Sequence, residues 1–239
     1  MVDEPLLNIQ SLDNLTDFKR DLEVLEEKQF LLLVETNQDI IKVSTKTALK
    51  NLPKIFDEAI KIGNTKGFNA TSLRDLSQAT DMSLGKIYTY ISAKDDLLLM
   101  LHSHYIKVIE DTFNQIGLPH KNPMDNLLLA VKAHLYLSQV FRPWFYFAFT
   151  ESKHLNKKII ALAKESELKS DLYFRNIIQS GIQAKRFAAV DRNFTSSMIK
   201  ALLQDWYLKP WKYAERNIDV DSYFKEIANL LTIYLTPKD

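Results

Sequence analysis

Glycine is scarce in this chain, which has five glycines among 239 residues. Glycine adopts positive φ angles more readily than any other residue, so a chain with few glycines can make few tight turns that need them. Long helices joined by a small number of loops satisfy this constraint better than many short strands. Because 46% of the residues are hydrophobic, the chain can bury a core, and we expect one large or two small helical domains.

Charge is unevenly distributed along the chain, although the total formal charge is only +1. Residues 1–45 contain four Lys/Arg and ten Asp/Glu, a net charge of −6. Residues 46–112 contain nine basic and eight acidic residues, a net of +1, and residues 113–239 contain eighteen and twelve, a net of +6. The acidic first segment would repel phosphate and is therefore expected to stay away from DNA.

Cysteine is absent, which excludes disulfides and thiolate metal sites. The first residues lack the basic segment and apolar run of a secretory signal. The longest apolar stretches, such as residues 144–149, are too short to span a bilayer. We therefore expect a soluble, cytoplasmic protein with no membrane partner.

The first 45 residues form a patterned extension. In residues 12–28 apolar side chains recur at spacings of three and four, which predicts an amphipathic helix: Leu15, Phe18, Leu22 and Leu25. Two short apolar runs follow, at 30–34 and 39–44, and they favour a two-stranded β-hairpin over residues 30–43, with one continuous helix as the alternative. We expect the extension to fold back on its own subunit or on a partner's body, away from the recognition helix.

From Pro53 onward the pattern is helical nearly throughout. One apolar stripe precedes Gly67, a natural helix stop: Ile55, Phe56, Ala59, Ile60 and Ile62. The segments 117–119 and 121–123, which contain glycine and proline, mark a break. Beyond it the pattern predicts helices at about 124–141, 143–151, 154–182, 192–214 and 219–235.

Residues 67–90 predict two short helices joined by a tight turn. The first helix has its inner face at Leu73, Leu76 and Ala79, and the second at Met82, Ile87 and Tyr88. Either Thr71 or Ser72 can cap the first helix, with Asp75 completing a capping box three residues after Ser72, and Ser83 can cap the second. Helices joined this tightly cross steeply, as in a helix-turn-helix, whose second helix presents its first residues to a major groove.

The run G-F-x-x-T-S-x-R-D-L-x-x-A-x-x-M-S-x-G-x-I-Y-x-Y-I-x-x-K-x-x-L begins at Gly67 and resembles the DNA-binding signature of the TetR/AcrR family of regulators. The resemblance extends over about residues 50–101. It implies an all-α fold with a three-helix DNA-binding head at 46–100 and a helical ligand-binding and dimerisation body at 101–239. The extension at 1–45, a helix with a possible hairpin, precedes this arrangement.

The resemblance also implies roles for individual residues. Thr71 would cap the first helix and touch phosphate, while Tyr88, Tyr90 and Lys94 would contact the DNA backbone. The residues from Ser83 to Lys86 would approach base edges, and Leu84, where the family often has lysine, can pack on a thymine methyl group. The predicted DNA-binding residues are Thr71, Ser72, Ser83, Leu84, Gly85, Lys86, Tyr88, Tyr90 and Lys94.

Residues 135–149 are rich in aromatic side chains. A dense core is one interpretation, and the wall of an apolar ligand cavity with a few polar groups is the other. The candidate lining residues are Tyr136, Gln139, Trp144, Phe147, Glu151, Tyr173, Asn176 and Trp206. We expect a hydrophobic or amphipathic small-molecule effector, such as one with an acyl chain, and no cofactor.

The last two helices predict a homodimer interface in residues 192–235, with closure of the subunit's own core as the alternative. One face contains Phe194, Met198, Ala201, Leu202, Asp205, Trp206 and Leu208, and the other contains Tyr223, Phe224, Ile227, Leu230, Leu231 and Tyr234.

A metal site is not expected from the five histidines, His102, His104, His120, His134 and His154. The first two are two residues apart and point to different faces of a helix, and no HExxH pattern occurs.

These patterns predict a transcriptional repressor that a ligand releases from a double-stranded DNA operator. A helical interaction module that has lost DNA binding is the first alternative, since the head has little net charge. A small helical enzyme using Glu151, His154 or Asp205 as acid or base is the second. We expect no enzymatic activity, because the sequence contains no nucleophile elbow, glycine-rich phosphate loop or metal-ligand pair.

Overall fold

The computed structural model describes residues 9–151 and 157–237, and all regular structure in these ranges is helical. The all-α fold class predicted from the sequence is confirmed. A short 3-10 helix at Ile9–Asp13 is followed by helices α1 (Leu15–Thr36), α2 (Thr45–Lys66), α3 (Leu73–Thr80), α4 (Leu84–Ile87), α5 (Lys94–Ile116), α6 (Pro123–Val140), α7 (Arg142–Thr150), α8 (Lys157–Gln183), α9 (Arg192–Leu208), α10 (Pro210–Glu215) and α11 (Val220–Leu235). None of these helices is long and apolar enough to cross a membrane.

The predicted β-hairpin at residues 30–43 is wrong, because α1 continues through this segment to Thr36. Phe30, Leu33 and Val34 are buried, and their spacing of three and four places them on one face of a helix. Leucine is a good helix former, so a leucine-rich run with this spacing favours the continuous helix. The helix ends where the Thr36 hydroxyl donates back to the Leu32 carbonyl oxygen (2.8 Å).

The sequence pattern predicts helical structure from Pro53 onward. Helix α2 in fact begins eight residues earlier, at Thr45. Its N-cap is Ser44, whose side chain accepts the backbone N–H of Thr47 (3.4 Å). The predicted stop is confirmed at Gly67, which has a φ of 83°. In the body, the helix predicted at 192–214 is divided into α9 and α10 by Pro210, whose ring cannot continue a helix from the preceding turn.

The described residues fall into two compact units. The head unit comprises residues 22–111 and 143–164, and the body unit comprises the rest. This grouping differs from the predicted boundaries at 45/46 and 100/101, which stay a prediction about functional domains.

The head unit packs α1 and α5 around α2. The Phe30 ring lies 5.6 Å from that of Phe56 and 3.8 Å from that of His104, centroid to centroid. The Nε2 atom of His104 is 3.5 Å from a carboxylate oxygen of Glu26 on α1. The C-terminal half of α1 is therefore part of the head unit's core.

The body unit is built around α6, which is buried on several sides and contacts α9, α11 and the 3-10 helix. The Tyr136 ring lies 5.5 Å from that of Phe18, and its hydroxyl donates to the Asp221 carboxylate (2.5 Å). Trp206, Tyr213 and Tyr223 form an aromatic cluster with centroids about 5 Å apart.

Candidate nucleic-acid interface

The helix-turn-helix of the head unit begins with a complete capping box. The Oγ atom of Ser72 accepts the backbone N–H of Asp75 (3.2 Å), and the Asp75 carboxylate accepts the backbone N–H of Ser72 (2.7 Å). The predicted capping box is confirmed, and Ser72 is the cap. Thr71 is not the cap, because its side chain is buried and its hydroxyl donates to the Gly67 carbonyl oxygen (2.9 Å).

The carboxylate of the capping box is held in its ionised form. Lys66 Nζ lies 2.8 Å from Asp75 Oδ2. This hydrogen bond, together with those from Ser72, keeps the pKa of Asp75 well below its usual range. An ionised carboxylate at a helix N-terminus is stabilised by the helix dipole, and the ammonium group of Lys66 offsets its negative charge.

A three-residue turn sets the direction of α4. Asp81 adopts a left-handed conformation (φ 55°, ψ 40°), and the buried Met82 donates its backbone N–H to the Ser77 carbonyl oxygen (3.0 Å). Ser83 then caps α4 by accepting the backbone N–H of Lys86 (3.2 Å). Ile87 is fully buried, so the opposite face of α4 is left at the surface.

That outer face contains most of the residues predicted to read DNA. Ser83, Gly85 and Lys86 are exposed, Leu84 is partly exposed, and Tyr88 is 50% exposed. A Cβ atom added at Gly85 would meet no atom within 4 Å, so nothing inside the protein requires a glycine there. The absence of a side chain at this position instead permits a close approach from outside.

Two residues that were predicted to contact phosphate, Tyr90 and Lys94, make hydrogen bonds within the head unit. Tyr90 is fully buried, and its hydroxyl accepts a hydrogen bond from Asn51 Nδ2 (2.8 Å). Lys94 Nζ donates to the Asn69 carbonyl oxygen (3.0 Å) and lies 4.6 Å from the centre of the Phe68 ring, and burial lowers the pKa of Lys94. Both residues stabilise the helix-turn-helix in this conformation. Their sequence spacing could not reveal these contacts, which depend on partners distant in the chain.

The candidate ligand residues are divided between the two units. In the body unit, Gln139 Oε1 accepts the indole N–H of Trp206 (3.2 Å). The Tyr173 hydroxyl donates to the Gly117 carbonyl oxygen (2.7 Å), and burial raises the pKa of Tyr173 to about 12. Tyr136 is fully buried, whereas Asn176 is exposed on α8 and does not line an enclosed space.

In the head unit, the other three candidates contact the helix-turn-helix and its neighbours. The fully buried Phe147 ring lies 5.7 Å from that of Phe68, centroid to centroid. Glu151 accepts the backbone N–H of Phe68 on one carboxylate oxygen (2.8 Å). Trp144 is buried, and its ring centroid is 6.1 Å from that of His102.

The histidines that the structure describes do not belong to any cluster of three metal-binding side chains within the described ranges. No three His, Asp or Glu residues in 9–151 and 157–237 are placed to hold one metal ion, and His154 lies outside these ranges. Burial lowers the pKa of His102 to about 4 and also lowers the pKa of His104. These rings are therefore neutral near neutral pH and serve the core of the head unit.

The acids considered for a catalytic role are held by structural partners. Asp205 accepts hydrogen bonds from Lys209 (2.5 Å), Lys212 and Tyr213, and these keep its pKa well below the usual range against the opposing effect of burial. Glu151 holds the loop before α3, as described above. An ionised, fully bonded Asp205 is poorly suited to act as a general acid or base.

The faces predicted for dimerisation are partly core and partly surface. Ile227, Leu231 and Trp206 are buried within the body unit and close its own core. Other apolar side chains of α9, α10 and α11 are exposed in the single chain: Phe194, Trp211, Leu230, Ile233 and Tyr234. These exposed side chains are available for the predicted dimer interface, which stays a prediction.

Comparisons by sequence find transcriptional regulators. No model of a known protein family matches the chain. The chain is similar to the HTH-type transcriptional regulator HbdR of Aromatoleum sp. (strain CIB), with 24% identity over 77% of this chain and 81% of the relative. It is also similar to the probable HTH-type transcriptional regulator YttP of Bacillus subtilis (strain 168), with 26% identity over 73% of this chain and 83% of the relative.

Comparisons by structure find the same class of protein. A regulatory protein in the tetR family from Rhodococcus RHA1 has a TM-score of 0.68 at 20% identity and covers 80% of this chain and 99% of its own. AibR, solved in complex with isovaleryl coenzyme A and operator DNA, has a TM-score of 0.67 at 15% identity and covers 79% of this chain and 100% of its own. The resemblance to TetR/AcrR-type regulators predicted from residues 67–97 is thereby confirmed.

Proposed function

We propose that this chain, a helix-turn-helix protein with the fold of TetR-family regulators, binds a DNA operator as a homodimer and represses transcription until a small molecule releases it. The outer face of α4 carries the proposal. It presents Ser83, Gly85, Lys86 and Tyr88 to solvent on a helix whose inner face is buried, as a recognition helix requires. A regulator of this kind acts in the cytoplasm, where its DNA is, without a catalytic step.

The proposed contacts separate into two kinds. Ser83, Leu84, Gly85 and Lys86 lie at the start of α4 and approach base edges, where they discriminate between sequences. Ser72 and Tyr88 border this surface and contact the phosphate backbone, which adds affinity for any duplex. Thr71, Tyr90 and Lys94 act indirectly in the free protein, by fixing the helices that carry the other residues.

The experiment is a binding titration on duplexes selected from a random library, followed by fluorescence anisotropy. Lys86→Ala should lower affinity for the selected duplex more than for an unrelated one, whereas Tyr88→Phe, which removes only the hydroxyl, should weaken both alike. Lys225→Ala, an exposed charge on α11, is the control. A wild-type protein that selects no duplex would contradict the proposal and favour an interaction module without DNA binding.

The proposed effector is a hydrophobic or amphipathic small molecule. The similarity to AibR, solved in complex with isovaleryl coenzyme A, supports this class and makes short acyl thioesters of coenzyme A the first compounds to test. A true effector binds the folded protein, so it should raise the melting temperature progressively with the logarithm of its concentration above Kd, and it should weaken DNA binding. Free coenzyme A is the matched control. If acyl thioesters over a range of chain lengths neither raise the melting temperature nor weaken DNA binding, this part of the proposal is wrong.

A further inference from the structure

The sign of the charge along the chain reverses just before α2. Residues 1–39 contain ten acidic and three basic residues, a net charge of −7, whereas residues 40–56 contain four lysines and no acidic residue. These lysines recur every four residues: Lys42, Lys46, Lys50 and Lys54. We call this set the lysine row. Its members in α2 lie along one face of the helix because residues four apart are neighbours on the surface, and all four are exposed.

Both ends of the lysine row are hydrogen-bonded to the helix-turn-helix. The backbone N–H of Lys42 donates to the carbonyl oxygen of Thr89, which follows α4 (2.8 Å). Lys54 Nζ donates to the carbonyl oxygen of Thr80 at the end of α3 (2.6 Å). Between them, Asn51 donates to the Tyr90 hydroxyl (2.8 Å). The row therefore has a fixed position alongside the recognition helix.

The two middle lysines carry charges that nothing in the described protein neutralises. Lys61 and Lys66, further along α2, pair with Glu58 (3.4 Å) and Asp75 (2.8 Å). Lys46 and Lys50 have no acidic partner among residues 9–151 and 157–237. Two unpaired ammonium groups held beside a recognition helix favour a polyanion as their partner.

We propose that Lys46 and Lys50 bind the phosphate backbone at the edge of the groove that α4 enters, as a second contact that does not depend on base sequence. Residues four apart in a helix are about 6 Å apart along its axis. This is close to two nucleotide steps of about 3.4 Å along one strand, so each lysine meets a different phosphate. The inference rests on the proposed function, and it gives a head of small net charge a local source of affinity.

The test compares the Lys46→Ala/Lys50→Ala variant with the wild type in anisotropy titrations over a range of salt concentrations. Each phosphate contact contributes about 0.9 to the slope of log affinity against log salt. The proposed homodimer carries two copies of each lysine, so the slope should become shallower by about 3.6. Affinity for a selected and for an unrelated duplex should fall by the same factor. The Lys46→Arg/Lys50→Arg variant should restore the slope, because arginine keeps the charge.

The control is Lys121→Ala/Lys225→Ala, which removes two exposed charges from the body unit and should leave the slope unchanged. Melting curves of the variants should coincide with that of the wild type. If the double variant unfolds, the single variants should each reduce the slope by about 1.8, since each removes one contact from both subunits of the proposed homodimer.

The inference is wrong if Lys46→Ala/Lys50→Ala keeps the wild-type slope while Lys86→Ala still weakens selective binding, and the proposed function then stands. If the wild type binds no duplex at any salt concentration, both are overturned. An equal change of slope in the control variant would show a general effect of charge and would also overturn the assignment to the lysine row.

Discussion

Phe30 packs α1 against the rest of the head unit. The loss of unfolding free energy when its ring is removed therefore measures how much α1 contributes to stability. The ring is 6% exposed and contacts Phe56 and His104. A buried aromatic side chain removes at least about 150 Å² from water. At about 25 cal/mol per Å² this corresponds to about 4 kcal/mol, and truncations of buried phenylalanine to alanine cost about 3–5 kcal/mol. We therefore expect Phe30→Ala to lower the free energy of unfolding by about 3–5 kcal/mol.

The assay is urea unfolding followed by far-UV circular dichroism, with Leu31→Ala as the control. Leu31 is the next residue of the same helix and is 37% exposed, so its truncation should cost less than about 1 kcal/mol. The two variants change neighbouring residues of one helix and differ mainly in how deeply the removed side chain is buried. Equal midpoints for Phe30→Ala and Leu31→Ala would refute the reasoning and show that α1 adds nothing to the stability of the head unit.

Three further predictions address the DNA surface, pH and dimerisation. Gly85→Ala should keep or raise the melting temperature, since the new methyl group has open space and alanine is the better helix former. The same variant should weaken binding of the selected duplex about tenfold or more. Unchanged affinity would exclude close approach at this position. The pKa of His102 is about 4 in the folded chain against an ordinary value of 6.5, so the unfolded chain binds a proton in this range that the folded chain does not. The stability that a neutral His102 contributes is therefore present above about pH 6.5, and it falls by about 2 kcal/mol between about pH 7 and about pH 5. In urea titrations at these two pH values, the free energy of unfolding of His102→Leu should fall less than that of the wild type. Ile233→Glu, at a position that is 65% exposed, should shift the protein from dimer to monomer in light scattering. Val24→Glu, at a position that is 48% exposed on α1, is the control and should leave the dimer intact. If both variants stay dimeric, the dimer interface does not include Ile233.

The helix-turn-helix could be predicted from the sequence because its determinants are local. A capping box needs only Ser72 and Asp75 three residues apart, and the cap of α4 needs only Ser83 before a short apolar pattern. The exposed face of α4 follows from the same spacing, since Ile87 marks the buried side. These features depend on neighbours within one helical turn, which the sequence displays directly.

Features that depend on distant partners could not be predicted in the same way. The segment after Phe30 is helical because α2 and α5 offer it an apolar surface, and short apolar runs do not distinguish a buried helix from a strand. Tyr90 and Lys94 match a DNA-binding signature, but Asn51 and the Asn69 carbonyl oxygen engage them within the head unit. Their roles are decided by contacts between residues 25 and 39 positions apart.

The contact between Gly63 and Phe147 constrains how this protein can evolve. A Cβ atom at position 63 would lie 2.4 Å from Phe147 Cε2, so every residue larger than glycine collides with a ring that is itself fully buried. Overpacking of this kind costs about 1–3 kcal/mol, a large part of the stability of an ordinary domain. A lineage can therefore gain a side chain at position 63 only after position 147 has become smaller. The two positions should covary among orthologues, 84 residues apart in sequence, with large residues never found at both.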